Sequence, residues 1–173
     1  MRTVAEVVRW WAQRRPELAA TWFEGRTRTW LELDESSSRL AAGLVNKLGV
    51  KPGDHVSILD KNTDAYMELL FAIDKAGAIA TPVNWRLTGP EVARVVSDAQ
   101  ANLIVAGEDF RSQADAAGVL VVGFDELPRD DAGDPRRERD EGAHDRQEPP
   151  HEHRFVAVAF EPGMRAVDLV RTQ

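Results

Sequence analysis

LGVKPGDHVSILDKN (residues 48–62) and DKAGAIATPVNWRL (residues 74–87) decide how this chain folds. In the first stretch Lys51-Pro52-Gly53-Asp54 is a turn, because Pro and Gly supply the backbone angles that a tight reversal needs, and His55 to Leu59 follows as a strand. Asn62 or Thr63 caps a helix that runs through Met67, Leu70 and Phe71 to Lys75, and Gly77 stands where that helix must stop. Residues 78–83 then read as a buried strand. The Asp74-Lys75-Ala76-Gly77 run invites a catalytic-lysine reading, but an exposed helix end is the plainer expectation for Lys75.

The same grammar extends to both sides. Thr3 with Glu6 forms a capping pattern, and Val4, Val7, Val8 and Trp11 repeat at helical spacing until Pro16. Residues 19–23 and 26–30 are short extended runs around Glu24-Gly25, which suits a hairpin. Thr29 with Glu32 opens a long helix whose Leu33, Leu40, Leu44 and Leu48 share one side, and Gly49 closes it. Thr88 with Glu91 caps another helix carrying Val92, Val95 and Val96, followed by strands at 103–106 and, after Gly118, at 119–123. Alternating strands and helices predict an α/β fold with a partial, largely parallel sheet flanked by helices.

Composition bounds the function. The 173 residues are 43% hydrophobic and 29% charged, enough for one globular domain with a core. A net charge of -7 argues against nucleic acid, which needs a concentrated basic face. With no cysteine, disulfides and thiolate metal sites are excluded and a cytoplasmic setting is the simplest expectation. The opening MRTVAEVVRWWAQRRP has charges throughout and no long apolar run, so it reads neither as a signal peptide nor as a transmembrane span.

The ordered series TWLELD (29–34), RLAAGL (39–44), LGVKPGDHV (48–56), DKN (60–62), DKAGAIATPVNWRL (74–87) and EVARVVSDAQANLIV (91–105) resembles the N-terminal region of acyl-CoA synthetases, most closely fatty-acid and medium-chain CoA ligases of the adenylate-forming, AMP-binding superfamily. The resemblance covers residues 3 to 127. His55 where the family usually has Arg, Trp30 where Tyr is commoner, and Asp60-Lys61-Asn62 where Leu-Pro-Asn is usual are its mild departures. It implies fatty acid and lipid metabolism, with ATP, magnesium and CoA as the needs of an intact relative. The implied reaction activates a carboxylic acid to an acyl adenylate and transfers the acyl group to CoA.

Residues 129–154 contain no Val, Ile, Leu, Met or aromatic side chain, so they cannot bury the apolar surface that ordering requires. The expected division is an N-terminal ligase part at 1–127, a disordered charged linker at 128–154, and a short apolar tail at 155–173 whose FVAVAF alternates like a strand. Where the family has a Gly/Ser/Thr-rich phosphate loop, this chain has GDPRRERDEGAHDRQEPPHEHR. A frameshift near Arg129 is the favoured explanation, with a true linker as the alternative. Holding ATP phosphates takes backbone N–H groups and hydroxyls aimed at their oxygens, so the expectation is a chain inactive by itself, with no catalytic, cofactor-binding or metal residue to assign and no cofactor of its own.

Several other residues invite a functional reading. Trp85, after a strand at the edge where open parallel sheets place ligands, is the single weak candidate for lining an acyl pocket, against the preferred reading that it covers core while Asn84 satisfies the turn. His144, His151 and His153 lack the fixed spacing and frame of a metal site. Arg9, Arg14 and Arg15 beside Trp10 and Trp11 suit a membrane surface, although packing of that helix on the core is preferred. The expected partners are a second copy of the chain or a complementing C-terminal ligase polypeptide, and the alternative to a ligase fragment is a non-enzymatic interaction module or one half of a split ligase.

Overall fold

The structure, a computed structural model, describes residues 3–131. Helix α1 (Val4–Arg14) leads into a hairpin of β1 (Ala19–Phe23) and β2 (Arg26–Thr29), whose Glu24 and Gly25 both take positive φ, as the reversal between two short strands requires. Helix α2 (Trp30–Asn46) follows at once, and Thr29 and Glu32 exchange backbone N–H bonds in a reciprocal capping box. Then come β3 (His55–Leu59), α3 (Asp64–Ala76) capped by Thr63 and closed by left-handed Gly77, β4 (Ile79–Val83), α4 (Gly89–Asp98), β5 (Leu103–Ala106), a 3-10 turn at Glu108–Phe110 running into α5 (Arg111–Asp115), and β6 (Leu120–Gly123).

The second sheet is parallel throughout, in the order β4-β3-β5-β6, and its two faces bury different helices. On one face Val56, Ile58, Leu103, Val105 and Val122 meet Leu40, Ala41 and Leu44 of α2 and Leu69, Ala72 and Ile73 of α3. On the other, Leu59, Val83, Ile104 and Ala106 meet Val92 and Val96 of α4 and Phe110 and Ala114. A third cluster of Val8, Ala20, Leu33 and Phe71 joins α1 and the hairpin to α2 and α3. The strand and helix assignments of the sequence therefore hold, with α5 the element that the sequence pattern did not show.

Four expectations are corrected by the packing. Lys75 is not at an exposed helix end: its side chain is fully buried, and its ammonium donates to the Asp34 carboxylate (2.6 Å), the Asp34 carbonyl (2.7 Å) and Ser38 Oγ (2.8 Å) on α2. Strand β4 is not buried but an edge, with Ile79 exposed and Pro82 in it. Ile79 N donates to Asp54 O on the β3 side, so by alternation Pro82, one of the residues in between, has its missing N–H on the free side, where an edge strand tolerates it. On α1 the buried face is Ala5, Val8 and Ala12, and Val4 is exposed. Finally, residues 128–130 are not the start of an unpacked linker: Arg129 pairs with Glu68 and Asp130 N donates to Arg39 O, so the packed unit runs past the expected boundary at Leu127. The remainder of the linker, the FVAVAF segment and the three tail histidines lie outside the described residues.

The buried lysine makes an asymmetric prediction. Asp34→Ala strands a desolvated ammonium without its carboxylate, a loss of about 3–5 kcal/mol. Lys75→Met removes the cation itself, and the Asp34 side chain, 22% exposed, regains water. Denaturant unfolding is expected to show Asp34→Ala as the more damaging of the two, and the reverse order would show that the ammonium does not depend on that carboxylate.

Candidate functional site

In an open parallel sheet the loops leaving the carboxyl ends of two neighbouring strands diverge where successive connections pass to opposite faces, and the gap between them is where ligands sit. Here that point lies between β3 and β5. The connection after β3 runs through α3 on one face toward β4, and the connection after β5 runs through α5 on the other toward β6.

Asp60 leaves β3 at this point and Gly107 leaves β5, joined by a bond from Gly107 N to Leu59 O of 3.0 Å. The two residues are in close approach, since a Cβ on Gly107 would lie 2.5 Å from Asp60 Oδ1 and 2.6 Å from Asp60 Cγ. The carboxylate accepts from Lys61 N at 2.7 Å, and burial nevertheless raises its pKa above the ordinary aspartate value. Tyr66, in the first turn of α3, is also raised, mainly by burial and then by the Asp60 charge.

Beside this pair lies a shelf of aromatic rings and cations. Trp85, leaving β4, packs with its ring centroid 5.9 Å from that of Phe110, and is partly buried against the α4 side of the core. The Arg86 guanidinium lies 4.1 Å from the Trp85 ring centroid, while Lys61 Nζ lies 5.7 Å from it and 5.5 Å from that of Phe110. Lys61 also meets the Asp109 carboxylate at 3.5 Å, a pair exposed enough to add little stability. Asn84 accepts from Arg86 N at 3.0 Å, which is the turn role expected of it.

Trp85 thus covers core at the ligand edge of the sheet, with its ring engaged by Phe110 and two cations. The residues that join it there, Asp60 and Lys61 after β3 and Gly107 and Phe110 after β5, escaped sequence reasoning because they come from two segments far apart in the chain. Gly107, a glycine ending the apolar run LIVA, was the one available signal of a close backbone approach. Chemically the edge offers a partly buried carboxyl group and a cation near aromatic faces, groups that can position a polar ligand. Among the described residues no group of three His, Asp or Glu side chains is disposed to hold a metal ion.

Comparison with known proteins gives a consistent picture. The AMP-binding enzyme family matches residues 8–160, so the match continues past Leu127. A fatty acid–acyl-carrier-protein ligase of Streptomyces coeruleorubidus is 37% identical over 110 residues, 64% of this chain and 21% of that protein. A structure from Rhodopseudomonas palustris described as a long-chain-fatty-acid CoA ligase superposes with a TM-score of 0.68 at 33% identity, covering 74% of this chain and 36% of that one. The N-terminal domain of FACL13 from Mycobacterium tuberculosis gives 0.68 at 28% identity over 73% of this chain and 35% of that one. The chain therefore spans about a fifth of the length of the curated relatives it matches and about a third of the solved ones.

The charges at this edge and at the helix caps set opposite pH dependences. Asp60, raised in the folded protein, favours folding below the ordinary value of 3.8, and that contribution is lost as pH rises through its folded value. Glu91 is held low, first by the Thr88 backbone N–H, so its contribution is present above 4.5 and lost as pH falls through its folded value. Asp60→Asn, which keeps an acceptor for Lys61 N, is expected to raise the melting temperature at pH 7 and change it little at pH 3, whereas Glu91→Gln lowers it at pH 7. A fall in the Asp60→Asn midpoint at pH 7 would contradict the burial account.

Proposed function

The chain belongs to the AMP-binding enzyme family, and we propose that it is the N-terminal scaffold part of an ATP-dependent carboxylic acid ligase, unable to catalyse the reaction by itself. The intact reaction would condense a carboxylate with ATP to an acyl adenylate and pyrophosphate, then exchange AMP for a thiol such as that of CoA. The observation that carries this reading is the family match over residues 8–160 combined with a sequence that offers no Gly/Ser/Thr-rich phosphate loop. Stabilising the charge that builds on the phosphates in that transition state is the largest task of such a site. Neither Asp60 nor the Lys61 shelf supplies the set of N–H donors it needs.

Fatty acids are the favoured substrate class, because the relatives' names include a fatty acid–acyl-carrier-protein ligase and a long-chain-fatty-acid–CoA ligase. A feruloyl-CoA synthase among them makes an aromatic acid the second class to try. The setting proposed is cytoplasmic; no helix among the described residues is long and apolar enough to cross a membrane. The favoured partner is a polypeptide that supplies the phosphate loop and the later catalytic segments, which would make this chain one half of a split ligase.

Acid-dependent ATP–pyrophosphate exchange tests both parts. The purified chain is expected to give no exchange above a no-protein control with fatty acids or with ferulate at millimolar ATP. Mixing it with a polypeptide that carries the remaining segments of a relative's ligase domain is expected to restore exchange with one of the two acid classes. Exchange by the chain alone would reject the scaffold reading, and failure of every complementing polypeptide would reject the split-ligase reading.

A further inference from the structure

Helix α2 carries a glycine where its neighbours predict an alanine. Gly43 follows Ala41 and Ala42, lies on the buried side, and sits in the last third of a helix of 17 residues. An interior glycine costs a helix about 1 kcal/mol relative to alanine. No turn or positive φ requires it, since Gly43 is not among the left-handed residues. Its reason is a close approach: a Cβ built on Gly43 would run into the Pro128 carbonyl oxygen, 2.6 Å from Pro128 C and 3.2 Å from Arg129 N.

The next two residues are held as well, each at a different point. Glu68, whose side chain is 5% exposed, takes Arg28 on one carboxylate oxygen at 3.0 Å and Arg129 on the other at 2.9 Å. Asp130 N donates to Arg39 O at 3.0 Å, and its carboxylate accepts from Asn46 Nδ2 at 3.1 Å beside Lys47 at 3.8 Å. Leu127, buried in the α2–α3 core, anchors the start of the run. A glycine in a helix, a buried carboxylate with two arginines, and the last turn of α2 thus receive three consecutive residues.

We propose that residues 128–130 form a latch that straps the outgoing chain to α2 and α3, and that Gly43 and Glu68 are the two positions that receive it. The latch fixes the path of the described chain after Leu127, holding residues 128–130 on the helical layer. It also opens as a local unit, because Leu40, Leu44, Leu69 and Ile73 hold the two helices together without it. This inference is independent of the proposed function, since it concerns only contacts within the chain.

Trypsin reads the latch directly, because Arg129 is one of its own cleavage sites, and Arg94 on α4, 84% exposed and on the other face of the sheet, serves as an internal reference. On the full chain, cleavage after Arg129 relative to Arg94 is followed by mass spectrometry alongside a thermal melt. Gly43→Ala is expected to lower the midpoint and to raise relative cleavage at Arg129 about tenfold, the equivalent of about 1.4 kcal/mol of latch opening. Without a latch the same substitution stabilises, through helix propensity alone. Glu68→Gln, which leaves α2 untouched, is expected to raise cleavage at Arg129 in the same direction, and it decides the matter should Gly43→Ala not fold. A raised midpoint for Gly43→Ala, or cleavage at Arg129 unchanged in Glu68→Gln, would overturn the proposal.

Discussion

The Lys75 ammonium, buried between α2 and α3, is the constraint on which the helical layer on that face of the sheet depends. A desolvated charge is tolerable only when several groups of opposite polarity converge on it, and α2 supplies a carboxylate, a carbonyl and a hydroxyl from Asp34 and Ser38. Apolar contacts could let these helices slide by a turn; this set of bonds has a single register. The preceding residue, Asp74, does the same for a third helix, accepting from Ala5 N at 2.6 Å and so satisfying one of the free N–H groups that open α1. Two adjacent residues on α3 therefore fix both helices packed beside it, and the parallel sheet is laid on the layer they define.

The helix caps and turns are legible in the sequence because the interactions that make them are local. Thr29 with Glu32 and Thr88 with Glu91 close reciprocal bonds within one turn, and Gly77 takes the left-handed conformation that ends α3. What escaped notice depends on residues far apart in the chain. A lysine near a helix-ending glycine is ordinarily exposed, and only Asp34, some forty residues earlier, explains the burial of Lys75. The apolar composition of β4 points to burial, whereas Pro82 within it points to an edge, and the edge is what the sheet order gives. Gly43 looked like an ordinary member of the RLAAGL run until Pro128 was found against it.

The candidate site was legible only in outline. Trp85 could be placed at the carboxyl edge of the sheet from the strand that precedes it, and it does lie there, engaged with Phe110 and Arg86. The Asp60–Gly107 approach, by contrast, arises from the order of strands in the sheet, which the sequence pattern does not specify. Strand order decides which two loops diverge, and hence which residues meet at the ligand edge. The residues there are positioned by contacts within the chain, Asp60 by Lys61 N and Trp85 by Phe110 and Arg86.

The two edges of the parallel sheet differ in what they offer an added strand. At β4 the outward donor position is occupied by Pro82, so an added strand would find one ladder bond missing. At β6 the strand Leu120–Gly123 holds no proline and no charge, and Leu120 is 52% exposed. Its end is nevertheless closed, since Glu126 accepts from Gly123 N at 2.7 Å and is itself held by Arg111 at 2.8 Å. Immediately after this closure the chain turns onto α2, where Leu127 is buried and the latch begins. The acidic turn and the latch thus act in sequence: the first ends the strand, and the second carries the chain away from the sheet edge onto the helical layer that Lys75 organises.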